Sequence, residues 1–203
     1  MIDKQNIKLI ILDYGGVLYE INLKRMMSEF GNLSSNKDTI RSEAINELII
    51  NYEEGKIETN NFRAQAKELL GISAPDVAFD KAWLSILVAE FPESIGIVSQ
   101  LQKVATLALL SNTSALHYSK FSVESKELFE YFDKIFLSFQ VGATKPKPEI
   151  YQSVLDHYNL IPEDCFFVDD DFNNIEGARK LGFKVFHINE NNRLSDFLHM
   201  LNE

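Results

Sequence analysis

Four short clusters of polar residues carry the chemistry that this sequence could perform. In chain order they are Asp13; Ser111 with Asn112; Lys145; and Asp169 with Asp170. A carboxylate can act as a covalent nucleophile toward phosphorus, and Mg²⁺ prefers carboxylate, phosphate and water oxygens. A hydroxyl, a backbone N–H and an ammonium group can hold phosphoryl oxygens and offset their charge. The combination indicates phosphoryl transfer with the help of Mg²⁺.

The two glycines that follow Asp13 fit the same chemistry. Gly15 and Gly16 lie in the stretch LIILDYGGVLYE, where a buried aliphatic run ends in a single acid. Glycine lets the backbone turn tightly and approach a phosphate closely. Both glycines are therefore candidate substrate-binding residues.

Each cluster also has a purely structural explanation. Asp13 could cap a turn, Ser111 could begin a helix, and Lys145 could be a solvated loop residue. The acidic triplet 169–171 could be the polar start of a helix, where the helix dipole favours negative charge. Taken one at a time these explanations are as good as a functional one, but together they leave the order of the four clusters unexplained.

The elements that position these clusters alternate between strands and helices. Apolar runs predict strands at 7–12, 106–110, 134–138, 165–168 and 184–188, and helical spacing predicts helices at 92–103, 114–121, 148–158, 173–181 and 193–201. This alternation predicts an α/β fold with a doubly wound parallel sheet. Ligands of such sheets bind beyond the carboxyl ends of the strands, so we expect all four clusters on one rim.

The segment 20–91 breaks this alternation. It has no convincing strand, and its apolar residues, Leu87 and Val88 included, keep helical spacing. We therefore predict a catalytic core formed by 1–19 and 92–203, with a small helical cap, 20–91, inserted between its first two strands. The stretch NYEEGK (51–56) is expected to be a solvated helix face, and Trp83 is expected to pack between helices.

Two further polar residues, His117 and Tyr14, lie near the clusters in sequence. His117 lies just after the Ser111 cluster and could line the site, but a position on the helix surface is favoured. Tyr14 follows Asp13 directly, so its side chain should point away from that of Asp13 in an extended strand.

Composition narrows the possible partners. The 203 residues carry a net charge of −10, which argues against binding to nucleic acid or to an anionic membrane surface. No apolar run is long enough to span a membrane, and the polar N-terminus predicts that the protein is not exported. A single cysteine, Cys165, suits a reducing cytoplasm. The expected partner is a small phosphate ester, and the oligomeric state is not predicted.

The motifs resemble those of the haloacid dehalogenase (HAD) superfamily, most of whose members are phosphatases. DYGGVL, LLSN, KPKPEIY and FVDDDFNNIEGA stand in the order and at the spacing of the four family motifs, over nearly the whole chain. More narrowly, they are similar to bacterial sugar-1-phosphate phosphatases and to the phosphatase domain of epoxide hydrolases. The resemblance implies a Rossmann-like core and a cap that selects the substrate.

The resemblance also implies a role for each motif residue. Asp13 would be the nucleophile that forms an aspartyl-phosphate. Mg²⁺ would be bound by Asp13, the backbone carbonyl of Gly15 and the carboxylate of Asp170. Asp169 would support Lys145, and Asn174 would contact the metal through a water molecule. Ser111, the N–H of Asn112 and Lys145 would bind the phosphate.

One position departs from the family pattern. Most phosphatases of the family carry a second aspartate two residues after the nucleophile, which protonates the leaving group and then activates water; here that residue is Gly15. General acid–base catalysis of this kind typically raises the reaction rate ~10²–10⁴-fold. The sequence therefore predicts a preference for phosphates with good leaving groups, or a replacement acid such as Tyr19 or Glu20.

Two other functions remain open at this point. A 2-haloacid dehalogenase uses the same first aspartate without a second one, but it needs no metal, whereas Asp169 and Asp170 indicate a metal site. A non-catalytic protein that binds a phosphate ligand would also explain the missing acid, but it would not need an intact nucleophile.

Overall fold

A parallel sheet of five strands forms the centre of the protein. The computed structural model describes residues 7–36 and 42–202, so the first and last residues of the predicted core, and part of the predicted cap, lie outside it. Its strands are β1 (Leu9–Leu12), β4 (Thr106–Ser111), β5 (Lys134–Leu137), β6 (Cys165–Asp169) and β7 (Lys184–His187). They have the order β5-β4-β1-β6-β7, with every pair parallel. The predicted α/β fold is confirmed.

The helices of the described residues fall into two groups. Between β1 and β4 lie α1 (Leu23–Leu33), α2 (Glu43–Glu53), α3 (Thr59–Leu70), α4 (Asp76–Leu84) and α5 (Ser94–Leu101). After β4 come α6 (Ala115–Glu124), α7 (Lys126–Phe129), α8 (Ser138–Val141), α9 (Pro148–Tyr158), α10 (Phe172–Lys180) and α11 (Leu194–Asn202). None of these helices has the length and apolar character that crossing a bilayer requires.

Alternate residues of β1 pack into two separate cores, which explains its uninterrupted aliphatic sequence. Ile10 and Leu12 belong to a core that includes residues of α5, α6 and α11. Leu9 and Ile11 belong to the opposite core, which includes residues of α9 and α10. A strand covered by helices on both faces needs apolar residues at every position, and all four of these side chains are fully buried.

A short antiparallel ladder was missed by the sequence analysis. β2 (Tyr19–Ile21) pairs with β3 (Leu87–Glu90), so the expectation that 20–91 contains no strand is wrong. Helix α4 ends at Leu84, and Leu87 therefore belongs to a strand rather than to the predicted helical stripe. The ladder is short and its outer residues are exposed, so it lacks a clear alternating pattern.

The helices α1–α4, which we call the helical lobe, have an apolar core of their own. Trp83 lies at its centre, in edge-on contact with Phe62 at 4.8 Å between ring centroids and 6.4 Å from Phe30. His117, expected on a helix surface, is instead buried and stacks on Trp83, with ring centroids 4.7 Å apart. Its Nε2 lies 3.1 Å from the Trp83 carbonyl, so the stack joins α6 to the lobe.

Candidate active site

Lys145 is the centre of a buried network at the carboxyl ends of the strands. Its ammonium group donates to Asp13 Oδ1 at 2.6 Å, to Asp169 Oδ2 at 2.7 Å and to the carbonyl of Leu110 at 2.9 Å. These three bonds use all three donors of a lysine. Residues from β1, β4 and β6 are thereby fixed around one cation.

The two acids at the end of β6 have different environments. Asp169 accepts from Lys145, from the Asp171 N–H at 2.8 Å and from the Asn174 amide at 3.1 and 3.2 Å to its two oxygens. Asp170 makes no such side-chain bonds within the described residues and lies at the exposed rim. Asp169 is therefore held as a structural anchor for Lys145, while the Asp170 carboxylate is available to a ligand.

The carboxylates of Asp13, Asp169 and Asp170 form a cluster that suits a divalent cation. One oxygen from each lies within 4.8 Å of the others. Burial, and to a smaller extent the nearby acids Asp169 and Asp170, raises the pKa of Asp13 to about 7, although Lys145 lowers it. Burial and Asp169 likewise raise the pKa of Asp170 to about 6. Three acids around one lysine leave excess negative charge, and hard oxygen donors are what Mg²⁺ requires.

Gly16 and Asn112 shape the backbone around this cluster. Gly16 has φ +80°, and a Cβ added there would lie 2.2 Å from Asp170 Oδ2, so only glycine lets the Asp170 carboxylate approach the turn. The Asn112 side chain accepts from the Lys145 N–H at 2.8 Å and donates to the Lys145 carbonyl at 2.9 Å, which ties two loops together. Ser111, the last residue of β4, is buried beside Leu110.

The position of the missing second acid is covered by an apolar side chain. A Cβ at Gly15 would lie 3.2 Å from Ile21 Cγ2, so Ile21 of β2 borders this space. Tyr19, a suggested replacement acid, has its hydroxyl bonded to Glu124 Oε2 at 2.6 Å, and burial raises its pKa. Tyr14, whose side chain was predicted to point away from Asp13, is buried in the core, and its hydroxyl lies 2.8 Å from Ser125 Oγ.

The helical lobe is attached to the site by residues that were expected to be solvated. Glu54 is buried and accepts from the Thr144 N–H at 3.2 Å and the Thr144 hydroxyl at 2.8 Å, next to Lys145. Burial raises the pKa of Glu54, but hydrogen bonds from Lys147, Lys56 and Thr144 outweigh it and hold the pKa at about 2. The predicted solvated face of 51–56 is therefore wrong at Glu54, because cationic partners allow its carboxylate to be buried.

A sequence profile described as haloacid dehalogenase-like hydrolase matches residues 7–182. The chain belongs to this family. The match covers the strands and loops that carry the Lys145 network, so this hydrolase has both the family's fold and the expected order of its motifs.

Relatives of this hydrolase include proteins named as phosphatases. It is 33% identical over 187 residues to a D-ribitol-5-phosphate phosphatase from Bacteroides thetaiotaomicron, over 89% of this chain and 91% of that protein. It is also 24% identical over 188 residues to a sesquiterpene phosphatase from Aspergillus oryzae, over 90% of each chain.

Solved structures agree with the family assignment. The HAD family enzyme bt-2542 from Bacteroides thetaiotaomicron superposes with a TM-score of 0.87 at 25% identity, over 97% of this chain and 99% of that one. A variant of that enzyme was crystallised with magnesium and inorganic phosphate, and it superposes with a TM-score of 0.86 at 25% identity, over 94% and 98% of the two chains. An L-2-haloacid dehalogenase from Xanthobacter autotrophicus, at 18% identity, shares the fold with a TM-score of 0.65, over 90% of this chain and 77% of that one.

Proposed function

We propose that this hydrolase is a Mg²⁺-dependent phosphatase that cleaves a small phosphomonoester, a phosphorylated sugar or polyol, through an aspartyl-phosphate on Asp13. The observation that carries the proposal is the convergence of Asp13, Lys145 and Asp170 on the rim where three parallel strands end. The relative named as a D-ribitol-5-phosphate phosphatase supports the substrate class.

The residues of the site divide the work between them. Asp13 attacks phosphorus, the Ser111 hydroxyl and the Asn112 N–H hold the phosphoryl oxygens, and Lys145 beside them offsets the phosphoryl charge. Asp13, the Gly15 carbonyl and Asp170 would bind Mg²⁺, which when bound neutralises charge on the phosphoryl group and on the attacking carboxylate. Lys145, already 2.6 Å from Asp13, keeps that carboxylate in place and compensates its charge.

The division into core and cap belongs to the same proposal. Residues 20–91 would act as a cap that closes over the core, 1–19 and 92–203, and excludes water during turnover. Hydrogen bonds that Thr144 donates to Glu54, and the stack of Trp83 on His117, support a closed arrangement. A cytoplasmic location, expected from the single cysteine, stays a prediction.

The test is release of inorganic phosphate from sugar, polyol and aryl phosphates, with Mg²⁺ and with a chelator. We expect metal-dependent release that falls to background in Asp13→Asn and is unchanged in Asp156→Asn, which alters an exposed aspartate on α9. Chloride release from 2-chloropropionate without metal would indicate a dehalogenase instead. Binding of Mg²⁺ and phosphate without turnover of any substrate would indicate a non-catalytic binding protein.

A further inference from the structure

We propose that Glu53, the last residue of α2, is the general acid and base of this active site, in the role that the family's second aspartate fills elsewhere. The inference rests on the proposed phosphatase function and adds a catalytic residue to it. The acid would then come from the helical lobe rather than from the turn after β1. The observations that support it are the position of Glu53, the state of its carboxylate and, among residues 7–36 and 42–202, the lack of a suitable acid near Gly15.

The residues on either side of Glu53 are bonded to residues that lie next to the two loops near Ser111 and Lys145. The Tyr52 hydroxyl accepts from the Leu116 N–H at 3.2 Å, just beyond the loop that follows Ser111 and Asn112. Glu54 accepts from the N–H and the hydroxyl of Thr144, the residue before Lys145. Glu53 is therefore held between these loops, where the lobe meets the core.

The lobe backbone also approaches the core closely at this point. Gly55 has φ +65°, and a Cβ there would lie 2.1 Å from the carbonyl oxygen of Phe139 in α8. Contacts on both sides of Glu53 fix its backbone. A catalytic group must be held in this way, because small displacements are costly to proton transfer.

The Glu53 carboxylate is in the state that a proton donor needs. It is partly buried, and no residue in 7–36 or 42–202 donates a hydrogen bond to it. Burial raises its pKa to about 7, with Lys145 lowering and Glu54 raising it to a smaller extent. Near pH 7 such a group can both give and accept a proton.

The other acids near the turn are less suitable. Ile21 borders the space beside Gly15, and the Tyr19 hydroxyl is bonded to Glu124. Glu20 is exposed on the short strand β2. Asp169 is fully bonded by Lys145, Asn174 and the Asp171 N–H.

The proton balance of the two half-reactions follows directly. In the first, an Asp13 oxygen forms a bond to phosphorus as the ester P–O bond breaks, and the departing alkoxide takes the proton of the Glu53 carboxyl group. In the second, the Glu53 carboxylate takes a proton from water as the water oxygen attacks phosphorus and the Asp13 P–O bond breaks. The sum is ester plus water giving alcohol plus phosphate, with both side chains restored.

The leaving group provides the test. We compare Glu53→Gln with the unaltered enzyme on glycerol 1-phosphate, whose alkoxide must be protonated, and on p-nitrophenyl phosphate, whose leaving group needs little protonation. We expect kcat on glycerol 1-phosphate to fall ~10²–10⁴-fold and the initial release of p-nitrophenol to fall less than about tenfold, since only the first half-reaction forms it. Glu53→Asp should recover part of the lost activity on the alkyl ester.

The matched control is Glu47→Gln, an exposed glutamate on the same helix, which should leave both rates unchanged. An equal loss on both substrates in Glu53→Gln would overturn the inference, because a loosened lobe affects both alike. Full activity of Glu53→Gln on the alkyl ester would overturn it too, while leaving the phosphatase intact. If the unaltered enzyme releases no phosphate, or Asp13→Asn retains activity, the proposed function fails and this inference fails with it.

Discussion

Replacing Gly16 with alanine would disturb the proposed metal site without removing any of its ligands. The alanine Cβ would lie 2.2 Å from Asp170 Oδ2, whereas real Cβ contacts are essentially never under 3.0 Å. The carboxylate must therefore withdraw by about 0.8 Å. Mg²⁺ binds oxygen at about 2.0–2.1 Å with strict geometry, so a ligand displaced this far no longer bonds well.

Two effects of this substitution have separate magnitudes. The left-handed backbone at φ +80° should cost about 1–2 kcal/mol in the free energy of unfolding, because a Cβ is strained there. Displacement of Asp170 should weaken Mg²⁺ binding ~10–100-fold, the range seen when the support of a metal ligand is lost. Urea denaturation measures the first effect and calorimetric titration with Mg²⁺ measures the second.

Gly142→Ala is the matched control for Gly16→Ala. Gly142 has φ +87°, but a Cβ there meets nothing within 4 Å. It should lose a similar free energy of unfolding and keep its Mg²⁺ affinity. Wild-type Mg²⁺ affinity in Gly16→Ala would refute the reasoning, and equal weakening in both variants would show that backbone strain alone is responsible.

Three further predictions concern buried charge. Lys145→Met leaves Asp13 and Asp169 without their cation and should lower the free energy of unfolding by about 3–5 kcal/mol at pH 8; a loss under about 1 kcal/mol in urea denaturation would contradict this. Burial lowers the pKa of His117 from 6.5 to about 4, so between these values the unfolded chain binds the extra proton. The free energy of unfolding should fall by up to about 3 kcal/mol as pH drops through this range. The same drop in pH should lower the free energy of unfolding of His117→Gln by less. The ionised Glu54 carboxylate stabilises the fold above its unfolded pKa of 4.5, and this contribution is lost as pH falls toward about 2. Glu54→Gln should therefore lower the free energy of unfolding by about 1.5–3 kcal/mol at pH 7. In urea denaturation at pH 3, the difference between this variant and the unaltered protein should be smaller.

The core strands could be predicted because their burial on both faces leaves uninterrupted apolar runs. The predicted strand at 7–12 and the observed β1 (Leu9–Leu12) differ only at the first residues. The ladder of β2 and β3 could not be predicted, because it has few residues and only Tyr19 and Leu87 among them are buried, which leaves no alternating apolar pattern. Leu87 fitted a helical stripe only because that stripe continued past the true end of α4.

The candidate site was predicted where chemistry and strand ends coincide in sequence. Asp13, Lys145 and Asp169 come together because parallel strands end on one rim. Contacts between lobe and core were not predictable in this way. The burial of Glu54 depends on Thr144 and Lys147, and that of His117 depends on Trp83, all distant in sequence. Two glutamates followed by a glycine are typical of a solvated helix end, so only the fold reveals where Glu53 lies.

The antiparallel ladder at the base of the helical lobe also affects how the chain can fold. Leu9 pairs with Thr106 across the whole lobe, and forming such a contact requires a long loop to be closed. The ladder, and the bond from the Asn22 N–H to the Ile86 carbonyl at 2.7 Å, bring the two ends of the lobe together. A lobe closed at its base behaves as a short connection, since closure entropy depends on the effective loop length. Lobes of different size could therefore be exchanged on this core with little effect on the pairing of its central strand.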